Sequence, residues 1–296
     1  MARPTRKASN PFQQFVADFA QQFHGGKSLP LGKTFPRPQP KLKPNSHVAL
    51  IFAPHPDDEC IIGGLTLRLR REAGYRVVNV AVTLGSKVAR RKARLAELTK
   101  ACTALGFEVE QIAPGGLKKI SLTTRAENST HWQTAVRATA ALLWRHQPSV
   151  IFLPHANDWH PTHIGTHWLV IDALTTLPAS FRCTFVETEF WGQMTSPNLL
   201  VESSANDVAD LVAALALHVG EVRRNPYHLR LPAWLMDNVR RGAELVGGQG
   251  SQAPEFVFGT LYRVSSWANS RVNHFKISKP TLSQAEQPTT SLAITR

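Results

Sequence analysis

The chain has only three cysteines in 296 residues, Cys60, Cys102 and Cys183, isolated from one another and odd in number. Such spacing supports neither a disulfide framework nor a thiolate metal motif, and a reducing, cytoplasmic compartment fits best. The sequence also lacks any run of roughly 18 to 20 apolar residues, which excludes a membrane-spanning helix. Its start is basic, but Asn10-Pro11-Phe12-Gln13-Gln14-Phe15 is a mixed run, unlike the continuous apolar region of a secretory signal. No internal repeat is found. What is present, 43% apolar residues over this length, suffices for one large or two small domains with a substantial core.

The net charge of +13 suggests a nucleic-acid binder until it is located. Residues 1–45 hold eight Lys/Arg and one Asp, a net +7, and residues 267–296 hold four Lys/Arg and one Glu, a net +3. The middle of the chain therefore carries only +3, ordinary for a globular enzyme. Basic ends of this kind dock on anionic lipid or nucleic acid, or simply stay solvated. We expect no specific nucleic-acid partner, and confine peripheral membrane contact to the basic N-terminal extension.

Three segments are expected: a basic, proline-rich extension over 1–45, a catalytic domain over 46–266 and a flexible tail over 267–296. Seven prolines in the first 45 residues favour extended chain. The exception is Phe12, Phe15, Val16, Phe19 and Phe23, whose spacing predicts a short amphipathic helix lying on the domain or, as the alternative, on a membrane surface. From residue 46, strands near 48–53, 76–83, 108–113, 149–154 and 184–191 alternate with helices near 61–73, 87–105, 128–146 and 164–176. This βαβ rhythm predicts a Rossmann-like, three-layer α/β/α sandwich with a mostly parallel central sheet. After residue 190 the pattern loosens into helices near 205–219 and 232–245 and a strand near 256–264. The last 20 or so residues, rich in Ser, Thr, Gln and Pro, read as disordered.

Two polar clusters stand directly after apolar strands. The strand Val48-Ala49-Leu50-Ile51-Phe52-Ala53 runs into His55-Pro56-Asp57-Asp58-Glu59, and Val150-Ile151-Phe152-Leu153 runs into His155-Ala156-Asn157-Asp158-Trp159-His160-Pro161-Thr162-His163. Open α/β sheets bind ligands beyond the carboxyl ends of their strands, so a parallel sheet brings both clusters to one edge. Imidazoles and carboxylates converging there suit zinc, which in catalytic sites takes three protein ligands and keeps one open position. His55 and Asp58 can reach one cation, while Asp57 can face a bound water as general base. The third ligand is sought among His155, His160, His163 and His167. His160 can instead donate a hydrogen bond to an oxyanion.

These residues resemble a known family. Ala53-Pro54-His55-Pro56-Asp57-Asp58-Glu59, with Gly63-Gly64 after it and His160-Pro161-Thr162-His163 downstream, is similar to the PIG-L/LmbE family of zinc-dependent N-deacetylases, over approximately residues 46–195. The resemblance implies zinc held by His55, Asp58 and His163, Asp57 as general base, His160 as oxyanion stabiliser, and an N-acetylated amino-sugar conjugate as substrate. Fe²⁺ or another divalent ion suits the same ligands. Arg94 and Glu97 resemble the family's Arg-x-x-Glu-Leu helix, whose Arg often contacts substrate. Three departures are present: Pro54 precedes His55, only Cys60-Ile61-Ile62 separates Glu59 from Gly63, and Thr162 stands where many members have Asp.

Plainer readings compete at each position. Asp at a helix start also caps the helix. Glu59 reads as a residue behind the site, His167 and His155 as packing or pocket-lining histidines, and Asp158 as a candidate substrate contact, with an orienter of an imidazole or a turn cap as its alternatives. The run Lys87-Val88-Ala89-Arg90-Arg91-Lys92-Ala93-Arg94 is either a solvated helix face or a dock for phosphate or acidic sugar near the catalytic edge. Trp159 is placed at a sugar-binding rim. Two other activities fit the same clusters, a metal-dependent hydrolase of another amide and a weakly active glycan-binding scaffold.

Overall fold

A computed structural model describes residues 10–292. Its centre is a nine-stranded sheet in the order β3-β2-β1-β4-β5-β7-β6-β9, with β8 paired to β7. The strands are β1 (Val48–Ala53), β2 (Arg76–Ala81), β3 (Glu108–Gln111), β4 (Val150–Pro154), β5 (Cys183–Thr188), β6 (Leu199–Glu202), β7 (Gly259–Ala268), β8 (Arg271–His274) and β9 (Thr281–Leu282). The helices are α1 (Phe12–Gly26), α2 (Asp58–Ile61), α3 (Gly64–Arg71), α4 (Arg91–Leu105), α5 (Leu122–Ala126), α6 (Thr130–His146), α7 (Pro161–Thr175), α8 (Ala205–Leu215), α9 (Val219–Val222) and α10 (Leu231–Gly247).

Strands β1 to β5 are parallel, as the βαβ rhythm predicts. The order 3-2-1-4-5 is that of a Rossmann-like sheet. Continuous apolar runs such as Val48–Ala53 and Val150–Pro154 form strands covered on both faces, because every parallel crossover lays a helix over the sheet. Alternate side chains of β1 divide accordingly. Ala49, Ile51 and Ala53 pack with α3, α4, α8 and α10, and Leu50 and Phe52 pack with α6 and α7. Strands β6 and β7 extend the sheet antiparallel, from a stretch whose strand and helix signals are weaker.

Two segments differ from expectation. Residues 271–274 and 281–282, in the supposed flexible tail, join the sheet as β8 and β9, and Leu292 is buried. Their backbone groups are taken up by β7 and β6, which composition alone does not reveal. Helix α1 forms where its spacing placed it, but Phe12, Phe15, Val16 and Phe19 stay exposed. Only its last turn meets the domain, where the Arg230 guanidinium lies 4.6 Å from the Phe23 ring centre. Residues 1–9 of the basic extension and 293–296 of the tail lie outside the described residues.

Candidate active site

Strand β1 sits between β2 and β4, so its chain leaves toward one side of the sheet while that of β4 leaves toward the other. The crevice this reversal opens is where such sheets bind ligands. Both polar clusters project into it.

After β1 the chain turns sharply at Asp57, whose φ of +115° is costly for a residue with a Cβ. Two contacts hold it there: the Asp57 N–H donates to Glu59 Oε2 at 2.9 Å, and the Tyr227 hydroxyl donates to Asp57 Oδ2 at 2.5 Å. The turn lets α2 begin at Asp58, whose Oδ2 accepts the His55 backbone N–H at 2.8 Å. After β4, His160 caps α7: its Nδ1 accepts the Thr162 N–H at 3.2 Å, and Pro161 supplies the first helical residue. His163 follows in the first turn.

Three donor atoms then meet. His55 Nδ1 lies 3.2 Å from His163 Nε2 and 3.5 Å from Asp58 Oδ2, and the latter two atoms are 3.4 Å apart. Ligands about 2.0 to 2.1 Å from a tetrahedral zinc stand about 3.4 Å from each other, so this triangle fits one face of such an ion. Asp58 Oδ1 is buried without a donor, an open acceptor of the kind a cation satisfies. The second nitrogen of His163 lies 3.5 Å from Asp158 Oδ2, an ion-pair distance. Asp158 in turn accepts the backbone N–H groups of His160, Trp191 and Gly192. A carboxylate behind a ligating histidine fixes the ring and raises its basicity. His55, His160 and His163 form an overlapping donor group within 4.8 Å, so both sets share two histidines.

The electrostatics separate the two neighbouring aspartates. Burial, then the Asp58 charge, pushes Asp57 up to about 7. Burial also opposes ionisation of Asp58, but the charge and hydrogen bonds of His163 and His55 hold it below the usual range. Asp158 falls to about 2, since the His163 bond and two backbone N–H groups outweigh its burial. Burial would depress His163, yet Asp58 and Asp158 raise it. His160 is lowered by burial and by His55 and His163. A neutral His160 whose Nδ1 accepts a hydrogen bond carries its proton on Nε2, ready to donate.

Asp57, His55 and His160 line a cleft of about 920 Å³, and Arg94 lines it too. Arg94 donates to the Pro56 carbonyl at 2.8 Å and lies 3.7 Å from Asp57 Oδ2. Trp159 is 75% exposed and lies outside the cleft wall, where Trp191 stands instead. Asp158 is buried behind His163 rather than open to a ligand. His167 turns away, its Nδ1 bonded to the Pro154 carbonyl at 2.9 Å, and His155 bonds the Gly192 carbonyl at 2.8 Å.

Sequence reasoning passed over Tyr227 and His218. His218 bonds Glu59 at 2.7 Å, and Glu59 in turn holds the Asp57 backbone, so a buried chain of contacts backs the turn. Neither residue belongs to a motif, and both lie far along the chain from Asp57. Only the fold reveals them.

Residues 50–174 match the PIG-L family, described as GlcNAc-PI de-N-acetylase. A 1D-myo-inositol 2-acetamido-2-deoxy-alpha-D-glucopyranoside deacetylase of Thermobifida fusca is 29% identical over 156 residues, 44% of this chain and 54% of that protein. The chain thus matches about half the length of that relative. Among solved structures, the N,N'-diacetylchitobiose deacetylase of Pyrococcus horikoshii is similar at a TM-score of 0.54 and 15% identity, covering 88% of this chain and 94% of that one. The 4-carboxy-2-hydroxymuconate hydratase of Pseudomonas putida reaches 0.53 at 16% identity, covering 74% and 95%. The shared architecture therefore carries more than one chemistry, and the two polar clusters narrow the choice. Residues 50–174, which hold both polar clusters, are thus similar to the PIG-L family.

Proposed function

We propose that the protein is a zinc-dependent hydrolase that removes the N-acetyl group from an amino-sugar conjugate. The observation that carries this reading is the 3.2 to 3.5 Å triangle of His55, Asp58 and His163 donor atoms, with the buried Asp57 carboxylate beside it. These three residues would hold the ion, which when bound supplies a polarised acyl carbonyl and a water acidified toward neutrality. Asp57 takes a proton from the attacking water and returns it to the departing amine nitrogen. Its Oδ2 is occupied by the Tyr227 hydroxyl, and among the described residues Oδ1 has no protein donor, so Oδ1 is the accepting oxygen. The His160 Nε2–H donates to the developing oxyanion, a contribution of about 3 kcal/mol for a well-placed donor. The products are acetate and a free amine.

Metal content by mass spectrometry, with acetate release over a panel of N-acetylated sugars, tests the reading on wild type, Asp57→Ala and Asp58→Ala. Near one zinc per chain, lost in Asp58→Ala and kept in an inactive Asp57→Ala, is the expected result. Full zinc in Asp58→Ala would move the ligand set to the three histidines. Zinc without acetate release from any sugar would refute the amino-sugar substrate.

A further inference from the structure

Charge is distributed unevenly over the domain. Residues 46–266 carry a net +3, yet seven Lys/Arg line the cleft against two carboxylates, Asp57 and Glu221, a local +5. The remainder of the domain is therefore −2. Positive charge has been gathered at the catalytic opening, not spread over the surface.

Six of these cations lie outside the catalytic cluster. Lys87 and Arg90 come from the β2–α4 connection and Arg91 opens α4, Lys118 and Lys119 come from the β3–α5 connection, and Arg224 follows α9. Glu221 is shared by Arg90 at 2.8 Å and Arg224 at 2.5 Å, with Arg94 at 3.9 Å. Among the described residues, Arg91 bonds only the Gly85 carbonyl. Among the described residues, the ammonium groups of Lys87, Lys118 and Lys119 have no carboxylate partner. A solvated helix face does not account for this arrangement, because two loops well separated in sequence converge on one cleft. Gathering like charges costs folding energy through mutual repulsion, and the three lysines have no carboxylate among the described residues to offset that cost without a bound anion.

The second loop is also held rigid. Leu117 bridges Thr83 at the end of β2, its N–H donating to the Val82 carbonyl at 2.8 Å. Gly116 has a φ of +71°, and a Cβ there would stand 2.9 Å from the Leu84 nitrogen. Gly165 of α7 brings its backbone so close to Ile120 that a Cβ would stand 2.6 Å from the carbonyl. Lys118 and Lys119 therefore sit on a loop clamped on both sides, and ordering it on binding costs little entropy.

We propose that the cleft takes a substrate bearing a doubly charged phosphate group, a phosphomonoester or diphosphate of an N-acylated amino sugar, seated on Lys87, Arg91, Lys118 and Lys119 while the amide meets the catalytic cluster. Its substrate half rests on the deacetylase reading. Phosphate suits this wall, since its oxygens accept several N–H donors at once and guanidinium forks match its geometry. A cleft of about 920 Å³ accommodates a sugar with such a substituent.

The test compares acetate release from N-acetylglucosamine, its 1- and 6-phosphates and the carboxylate-bearing N-acetylmuramic acid, for wild type and Lys87→Gln/Lys118→Gln. Both lysines are exposed and lack a carboxylate partner, so the variant folds. The expected result is a kcat/KM at least tenfold higher for a phosphorylated sugar than for the neutral one. That ratio should fall at least tenfold in the variant and shrink in 0.5 M salt. Equal rates, a preference unchanged in the variant, or a carboxylate sugar preferred over both phosphates would overturn the proposal. Pyrophosphate binding, followed by calorimetry, separates this inference from the deacetylase reading. If no sugar releases acetate, pyrophosphate binding weakened at least tenfold in the variant still supports the anion seat, and absent or equal binding overturns it.

Discussion

Tyr227→Phe removes one oxygen, and with it the 2.5 Å hydrogen bond to Asp57 Oδ2. Asp57 is buried, so little water is available to replace the donor. The bond favours the ionised carboxylate, and its loss therefore raises the Asp57 pKa further. Hydrogen bonds to charged groups contribute about 1.5 to 3 kcal/mol, and each pKa unit corresponds to about 1.36 kcal/mol, so the shift is about one to two units upward. A base must be ionised to accept a proton, so the acidic limb of kcat/KM should move to higher pH by that amount. At pH values well above the new limb the variant should recover to within a few-fold of wild type. The Phe ring keeps its contact with Trp191, 5.8 Å between centres, and no metal-donor atom loses a partner, so zinc content should be unchanged. The assay is a pH–rate profile of acetate release beside a metal determination. Uniform loss at every pH with an unmoved limb, or a limb displaced downward, would refute the assignment of Tyr227 as the residue holding Asp57.

Three further outcomes follow from packing and charge. Arg241→Ala leaves the buried Glu189 carboxylate, now held at 2.8 and 3.0 Å, without its cation and should cost about 3 to 5 kcal/mol in urea unfolding; a loss under 1 kcal/mol would contradict a buried pair. Gly63→Ala should lower stability by about 3 kcal/mol, because φ is +85° and a Cβ would stand 2.0 Å from Thr260 Oγ1; an unchanged unfolding midpoint would count against that packing. Burial lowers His167 to about 4, so the unfolded chain binds its proton near pH 6.5 before the folded one does. Stability is then lost as pH falls from about 6.5 to 4, by up to about 3 kcal/mol, and His167→Asn should flatten that part of the acid-unfolding curve. An identical acid slope in the variant would remove His167 from the account.

Local pattern made the parallel half legible. Val48–Ala53 and Val150–Pro154 are continuous apolar runs, and a run followed by a helical period has few other homes than a covered parallel strand. The positions of His55, Asp58 and His163 followed, because strand ends in such a sheet share an edge. Tyr227, His218 and Trp191 were not legible, since each reaches the cleft or its backing through folds of the chain that no short spacing encodes. Trp159 misled for a local reason: its neighbour His160 caps α7 and lines the cleft, while Trp159 itself turns to solvent. The tail was misjudged on composition. Pairing with β6 and β7 satisfies its backbone, and Ser- or Thr-rich chain can pair as well as any other.

The hydroxyl that grips Asp57 enters from a short turn beyond residue 174, whereas every proposed metal donor lies before it. The proposed metal donors and the base thus share one stretch of the chain, and the group that sets the base's acidity comes from another. Changes confined to the turn at 227–230 can move the pH range of the proposed reaction while leaving the proposed metal donors untouched. The two polar clusters then mark where the chemistry would sit, and the tyrosine is the part to inspect when asking over which pH range a relative would work.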